Sequence, residues 1–344
     1  MKTKPFSICI LFILFPVLLQ AAGTHSVYNL RCEHEEEPLG IETPQPRFSW
    51  QIQAQQRNFE QSAWQILVAD SPEKLQAGDG NIWDSGKNNS SSSVLVPFNG
   101  KELKAGQVYY WKVKSWDKEG NPSPWSLIHR FGMGLLSEKD WNNAKWIAWE
   151  KDRKDEIITT GLHGLTNVDR ALKGKKTGMY RLPQFRKEFA VQKPVKRAVA
   201  YVSGLGHFDM FLNGDKVGNN FLDPGWTKYD KCALYVSFDI TGQLQQGQNA
   251  VGVMLGNGFF NIPRERYFKL LASYGAPRLL MKIQIDYADG STQTVVTGTD
   301  WKATESPVTY SSIYGGEDYD ANKEQAGWMQ PGFDDRSWDK ALDT

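Results

Sequence analysis

Val108-Tyr-Tyr-Trp-Lys-Val-Lys-Ser-Trp116 decides how the chain is read. Tyr109, Trp111 and Val113 share one face and Lys112 and Lys114 the other, the two-residue period of a half-buried strand. Asp117-Lys-Glu-Gly-Asn121 then turns the chain, and Ser123-Pro-Trp-Ser126 leads into a strand ending at Phe131. Working back, Trp64-Gln-Ile-Leu-Val68 and Arg47-Phe-Ser-Trp50 read as earlier strands of the same kind. Six or seven short strands in about a hundred residues predict a fibronectin type III-like sandwich over 23–132. The one helical signal is Ser71-Pro-Glu-Lys-Leu75, a single capped turn.

Working forward, residues 133–150, with Trp141, Trp146 and Trp149, read as a linker. From Lys151 to Lys176 the chain is charged and without period, which predicts a long surface loop. Strands resume at Phe185. Val199–Ser203 is apolar, and Phe208, Met210 and Leu212 alternate with His207, Asp209 and Phe211. Asn213-Gly214 follows at once, the strongest short-range hairpin signal. Ile283, Ile285 and Tyr287 alternate before Asp289-Gly290, and the chain returns through Thr294–Val296. The class is therefore all-β, with residues 151–344 forming a second sandwich, a jelly roll of the galactose-binding-like type.

The chain has 344 residues, about two domains' worth, with 40% hydrophobic and 23% charged residues, a globular composition. Forty basic residues against 39 acidic leave no positive excess, so nucleic acid is not an expected partner. Lys2 and Lys4, the apolar run Phe6–Leu19 and the small residues Ala21, Ala22 and Gly23 form a secretory signal peptide over 1–22. The mature protein is then expected in the periplasm or outside the cell. No later stretch has the roughly 18 apolar residues of a transmembrane helix. Of three cysteines, Cys9 lies in the signal segment, and Cys32 and Cys232, 200 residues apart, are read as buried free thiols.

Motifs for metal-dependent, nucleophilic, phosphate-binding or dinucleotide chemistry are absent from the sequence. The histidines at 25, 34, 129, 163 and 207 lack metal-ligand spacing and read as structural or surface residues. Glu317, Asp318 and Asp320 lie in Gly315-Gly-Glu-Asp-Tyr-Asp320, after Tyr310 and Tyr314. A glycosidase pair or a calcium site draws on such residues, but carboxylates crowded into a Gly-Gly turn are usually solvated. They are read as a structural or interface loop. The distinctive stretches are Leu222-Asp-Pro-Gly-Trp-Thr-Lys-Tyr-Asp230 and Leu255-Gly-Asn-Gly-Phe-Phe-Asn261. Here Trp226, Tyr229, Phe259 and Phe260 are candidate platforms for a sugar face, with Asp223, Asn257 and Asn261 as hydrogen-bonding or oxygen-ligating partners. The competing reading makes Trp226 and Tyr229 packing residues and Asn257-Gly258 a turn.

Several runs resemble the amino-terminal β-domains of bacterial alpha-L-rhamnosidases, glycoside hydrolase family 78. They are Tyr201-Val-Ser-Gly-Leu-Gly-His-Phe-Asp-Met-Phe-Leu-Asn-Gly214, Asp223–Asp230, Val253-Met-Leu-Gly-Asn-Gly258 and Tyr314-Gly-Gly-Glu-Asp-Tyr-Asp-Ala321. Leu30-Arg-Cys-Glu33 and Pro38–Trp50 resemble the family's leading fibronectin-like module. The resemblance implies a secreted hydrolase that removes terminal L-rhamnose from glycans or glycosides with inversion. In the family the catalytic carboxylates sit in a following (α/α)6 barrel, and the acidic motif Asp-Cys-Pro-Gln-Arg-Asp-Glu-Arg occurs nowhere in this sequence. No catalytic residue is carried over. The second domain is expected to be truncated at its C-terminal end, with the missing barrel as covalent partner and the chain inactive alone. The alternative is a free-standing carbohydrate-binding module. The substrate-binding set is then Asp223, Trp226, Asn257 and Asn261, with no required cofactor, an unknown metal set and calcium possible at the sugar site.

Overall fold

The computed structural model describes residues 25–164, 166, 167, 170, 177–267 and 270–344. The signal segment lies outside the described residues, as do residues 171–176. Two compact units account for the chain: one is built from the residues up to 36, 45–101 and 110–130, the other from 37–44, 102–109 and 131–344.

In the first unit β1 (His25–Cys32) pairs antiparallel with β2 (Arg47–Ala54), and β3 (Gln61–Ala69) pairs antiparallel with β4 (Val108–Asp117), which belongs to this unit from Tyr110 on. Aromatics fill the space between them. Phe48 of β2 meets Trp111 of β4 at 4.4 Å, and Trp50 meets Trp64 edge-on at 5.9 Å. The Trp50 Nε1 donates to Gln61 Oε1 at 3.0 Å, so the buried indole keeps a polar partner. The capped turn forms as expected: α1 (Pro72–Gln76) begins at Ser71, whose hydroxyl accepts from Lys74 N. One alternation departs from expectation. Lys112 is only 7% exposed, because its Nζ donates to the Leu75 carbonyl and lies 4.8 Å from the Trp125 ring centroid.

The second unit is a two-sheet sandwich. One sheet runs β7 (Phe208–Leu212), β9 (Gly247–Leu255), β5 (Pro183–Val191), β12 (Lys302–Glu305), all neighbours antiparallel. The other runs β8 (Val236–Asp239), β6 (Val195–Leu205), β10 (Arg278–Tyr287), with β11 (Thr292–Val296) returning along β10. Phe185, Met210, Val251 and Val253 from the first sheet and Ala198, Ala200, Met281, Ile283 and Ile285 from the second form one core.

Both anticipated hairpins form. Asn213 (φ 54°) and Gly214 (φ 96°) give the twin positive φ angles of a type I′ turn. Asn213 also donates to Gln243 O and Asn249 Oδ1 and accepts from Ala250 N, which ties the turn to the neighbouring strand. Asp289-Gly290 joins β10 to β11.

Residues 133–150 are not a free linker. A 3-10 turn, Glu138–Trp141, and a strand, Ile147–Ala148, belong to the second unit, and Ile147 pairs with Leu279 of β10. Leu135 and Trp141 pack on Val199 and Tyr201, so the outer face of β6 is covered as well as its inner face. The stretch read as a surface loop contains the strand Ile158–His163, paired with Leu270–Ser273. The chain's last residues pair as edge strands, Asp339–Lys340 on β12 and Leu342–Asp343 on Ile147–Ala148. Cys32 is a buried free thiol as expected, but Cys232 is exposed, because it sits on the loop after Tyr229 rather than in a strand.

Candidate functional site

Two loops of the second unit deliver the distinctive residues. The turn after β6 is tight enough that a Cβ on Gly206 would lie 2.1 Å from Gly256 O, so glycine alone lets the two loops meet. His207 O accepts from Gly256 N at 2.7 Å, and Phe208 N donates to Asp223 O at 2.8 Å, locking the loops together.

The aromatic residues separate into two groups. Trp226, 64% exposed, stacks on Phe259 with ring centroids 4.5 Å apart and planes 10° from parallel. Tyr314, also exposed, meets Phe259 edge-on at 5.9 Å and stacks on Tyr267 at 4.6 Å. These four rings make a continuous aromatic surface. Tyr229 and Phe260 instead pack with Tyr274 in a separate cluster, at 5.3 and 5.5 Å from Tyr229. Burial pushes the Tyr229 hydroxyl up to about 12.

The polar residues also divide. Asn257 is 3% exposed; its Nδ2 donates to Ser311 O at 2.7 Å, and its Oδ1 accepts from Asn261 Nδ2 at 2.7 Å. Asn261 is fully buried and donates to Gly178 O at 2.6 Å, while its own Oδ1 has no hydrogen-bond partner. Both amides pin one loop to its neighbours. Calcium takes 6–8 oxygens, and these amides, one engaged and one enclosed, do not fit the ligand set expected of them. Asp223, half-buried and joined to Pro224 by a cis peptide, accepts from Asn220 Nδ2 at 3.0 Å. Trp226 and Asp223 are thus reachable from solvent, and Asn257 and Asn261 are not.

Beside the aromatic surface lies a cleft of about 330 Å³ whose lining includes His207, Asp209, Lys216 and Glu317. Lys216 pairs with Asp209 at 2.7 Å. Partial burial and the Asp209 charge hold the Glu317 carboxyl above the usual range. Burial lowers the His207 imidazole, against the opposing pull of Asp223. The other two carboxylates of that cluster have structural partners. Asp318 pairs with Arg266, which lies over the Tyr310 ring at 4.4 Å, and Asp320 caps the turn at Ala321–Lys323. Among the described residues, no group of three His, Cys, Asp or Glu side chains is arranged to hold a metal ion.

Sequence reasoning found Trp226 and Phe259 but missed Tyr267, Tyr314 and His207 as their neighbours. A Tyr at 314 close to Gly315-Gly316 was visible; that it lands on Phe259, 55 positions earlier, depends on the fold.

Fold and site define a two-unit all-β protein with an exposed aromatic surface on its larger sandwich. Residues 27–137 match the Rha78A-like, N-terminal immunoglobulin domain, and residues 193–343 match the alpha-L-rhamnosidase N-terminal domain. The chain carries the N-terminal β-domains found in alpha-L-rhamnosidases, the immunoglobulin-like one followed by the N-terminal domain proper. An alpha-L-rhamnosidase of Formosa agariphila is 39% identical over 314 residues, covering 90% of this chain and 33% of that protein. One from an Alteromonas species is 34% identical over 304 residues, covering 88% of this chain and 31% of that protein. The chain therefore spans about a third of the length of these curated relatives. Among solved structures, the alpha-L-rhamnosidase from Dictyoglumus thermophilum superposes with a TM-score of 0.81 at 36% identity, over 93% of this chain and 34% of that one. The Streptomyces avermitilis alpha-L-rhamnosidase complexed with L-rhamnose gives 0.79 at 25% identity, over 93% and 45%. Among the described residues, no helix is long and apolar enough to cross a membrane.

Proposed function

We propose that this chain is the N-terminal β-portion of a secreted alpha-L-rhamnosidase, periplasmic or extracellular, and that its own task is to hold rhamnose-containing carbohydrate. The observation that supports the binding role is the exposed Trp226 ring, stacked on Phe259, which Tyr314 meets edge-on. A flat aromatic face removes the apolar C–H face of a pyranose and the C6 methyl of rhamnose from water. The Asp223 carboxylate at its margin accepts from sugar hydroxyls.

The hydrolytic step belongs to the proposed whole protein. An inverting glycosidase protonates the leaving oxygen with one carboxylic acid and activates water with another, the two about 6.5–9.5 Å apart. In this reading both reside in an (α/α)6 barrel joined covalently to these domains. The two sandwiches are then fibronectin type III-like and jelly-roll modules of that larger enzyme. Calcium would enter only as an auxiliary sugar ligand, and of the expected residues the solvent-reachable Asp223 carboxylate is the one that would be left to hold it.

Calorimetric titration of the purified chain with methyl α-L-rhamnoside tests the proposal, with and without chelator. Saturable millimolar binding, lost in Trp226→Ala, is expected; no heat from folded protein rejects it. Loss on chelation alone brings calcium into the site. A chromogenic α-L-rhamnoside should show no turnover by this chain.

A further inference from the structure

A second, roomier cleft of the second unit, whose lining excludes Trp226 and Phe259, has a different construction. It encloses about 750 Å³, within the ~300–1,000 Å³ typical of small-molecule sites. Its walls carry Trp141, Trp146, Tyr229 and Tyr235, all half-buried, and its rim carries the exposed carboxylates of Glu42 and Asp230. We propose that this cleft binds a neutral oligosaccharide of two or three sugar residues.

Three observations carry this. First, apolar aromatic walls below a carboxylate rim match a pyranose, whose C–H faces seek rings and whose hydroxyls donate to carboxylates. Second, the walls are held before any ligand arrives. Tyr235 OH accepts from Leu135 N at 2.9 Å, Trp141 meets Tyr235 edge-on at 5.5 Å, and the Trp146 carbonyl accepts from Thr344 N at 3.1 Å. Little ordering entropy then opposes binding. Third, the charge excludes the alternatives. The rim and walls carry three carboxylates, Glu138 included, against one lysine, Lys231. A uronate or phosphate ligand meets that negative excess. A lone ammonium leaves most of the volume unfilled and meets Lys231. The loop Leu222–Ala233 supplies Trp226 to the first surface and Tyr229 and Asp230 to this cleft, so the two sites share a segment but no ring.

Tryptophan fluorescence titration of the full chain tests the proposal with rhamnotriose, cellotriose and mannotriose, their parent monosaccharides, digalacturonate and choline. At least one neutral trisaccharide should bind tenfold or more tightly than its monosaccharide. Trp146→Ala should weaken that binding at least tenfold with an unchanged melting temperature, and Trp226→Ala should leave it within twofold. If Trp146→Ala melts early, Glu42→Gln, at an exposed rim position, replaces it with the same expectation. The proposal is overturned if no neutral trisaccharide binds below about 10 mM, if choline or digalacturonate binds and the trisaccharides do not, or if Trp226→Ala alone abolishes the signal. That last result assigns all sugar binding to the first surface.

Discussion

Replacing Asn261 with alanine separates a structural amide from a ligand. In the native chain its Nδ2 serves two enclosed acceptors, Gly178 O at 2.6 Å and Asn257 Oδ1 at 2.7 Å. Alanine leaves both without that donor, and each unsatisfied buried group costs about 1–3 kcal/mol. The substitution also deletes Asn261 Oδ1, which is buried without a partner and already carries a penalty of similar size. One group's worth therefore remains, a net loss of about 1–3 kcal/mol. For a unit of this size each kcal/mol lowers the melting temperature by about 2–4 °C, so a fall of roughly 2–12 °C is expected. Differential scanning calorimetry reads it, alongside a sugar titration well below the transition. The reasoning is refuted by an unchanged melting temperature together with lost sugar binding, the signature of a ligand amide.

Arg186→Met should destabilise the second unit by about 3 kcal/mol, the lower end for breaking a buried ion pair; its guanidinium pairs with Glu188 at 2.6 Å and with Asp335, and donates to Trp328 O and Gln330 O. Chemical denaturation checks this, and a loss below 1 kcal/mol is the adverse result. His207 should titrate below the ordinary imidazole range in NMR, since burial depresses it. Its contribution to stability is then present above the unfolded-state value and lost as pH falls through that value toward the folded one; a flat stability profile there, or no difference in His207→Gln, contradicts it. Of Cys32 and Cys232, only exposed Cys232 should react with a thiol reagent in native buffer, with buried Cys32, its thiol raised by burial, following on unfolding. Equal native rates count against it.

What was legible in the sequence was local. Asn213-Gly214 and Asp289-Gly290 set hairpins because their turn chemistry acts over two residues. Alternation placed Tyr109, Trp111 and Val113 inward. The same alternation misplaced Lys112, because α1 covers the outer face of β4 and supplies the Leu75 carbonyl from 37 positions away. Residues 133–150 looked like a linker because their partners, Val199, Tyr201 and Leu279, are distant in sequence. At the candidate site, Trp226 was recognisable as a platform. Asn257 and Asn261 carry the same side chains whether they face a sugar or pin a loop. Only the positions of Gly178 and Ser311 distinguish the two.

The most direct test of the central claim is 19F NMR of 5-fluorotryptophan-labelled chain titrated with methyl α-L-rhamnoside, the Trp226 resonance being assigned by Trp226→Phe. The account predicts a saturable shift of the Trp226 resonance at millimolar sugar, while that of Trp301, fully buried in the sandwich core, stays still. A Trp226 resonance that does not move at saturating sugar, in folded protein, contradicts it.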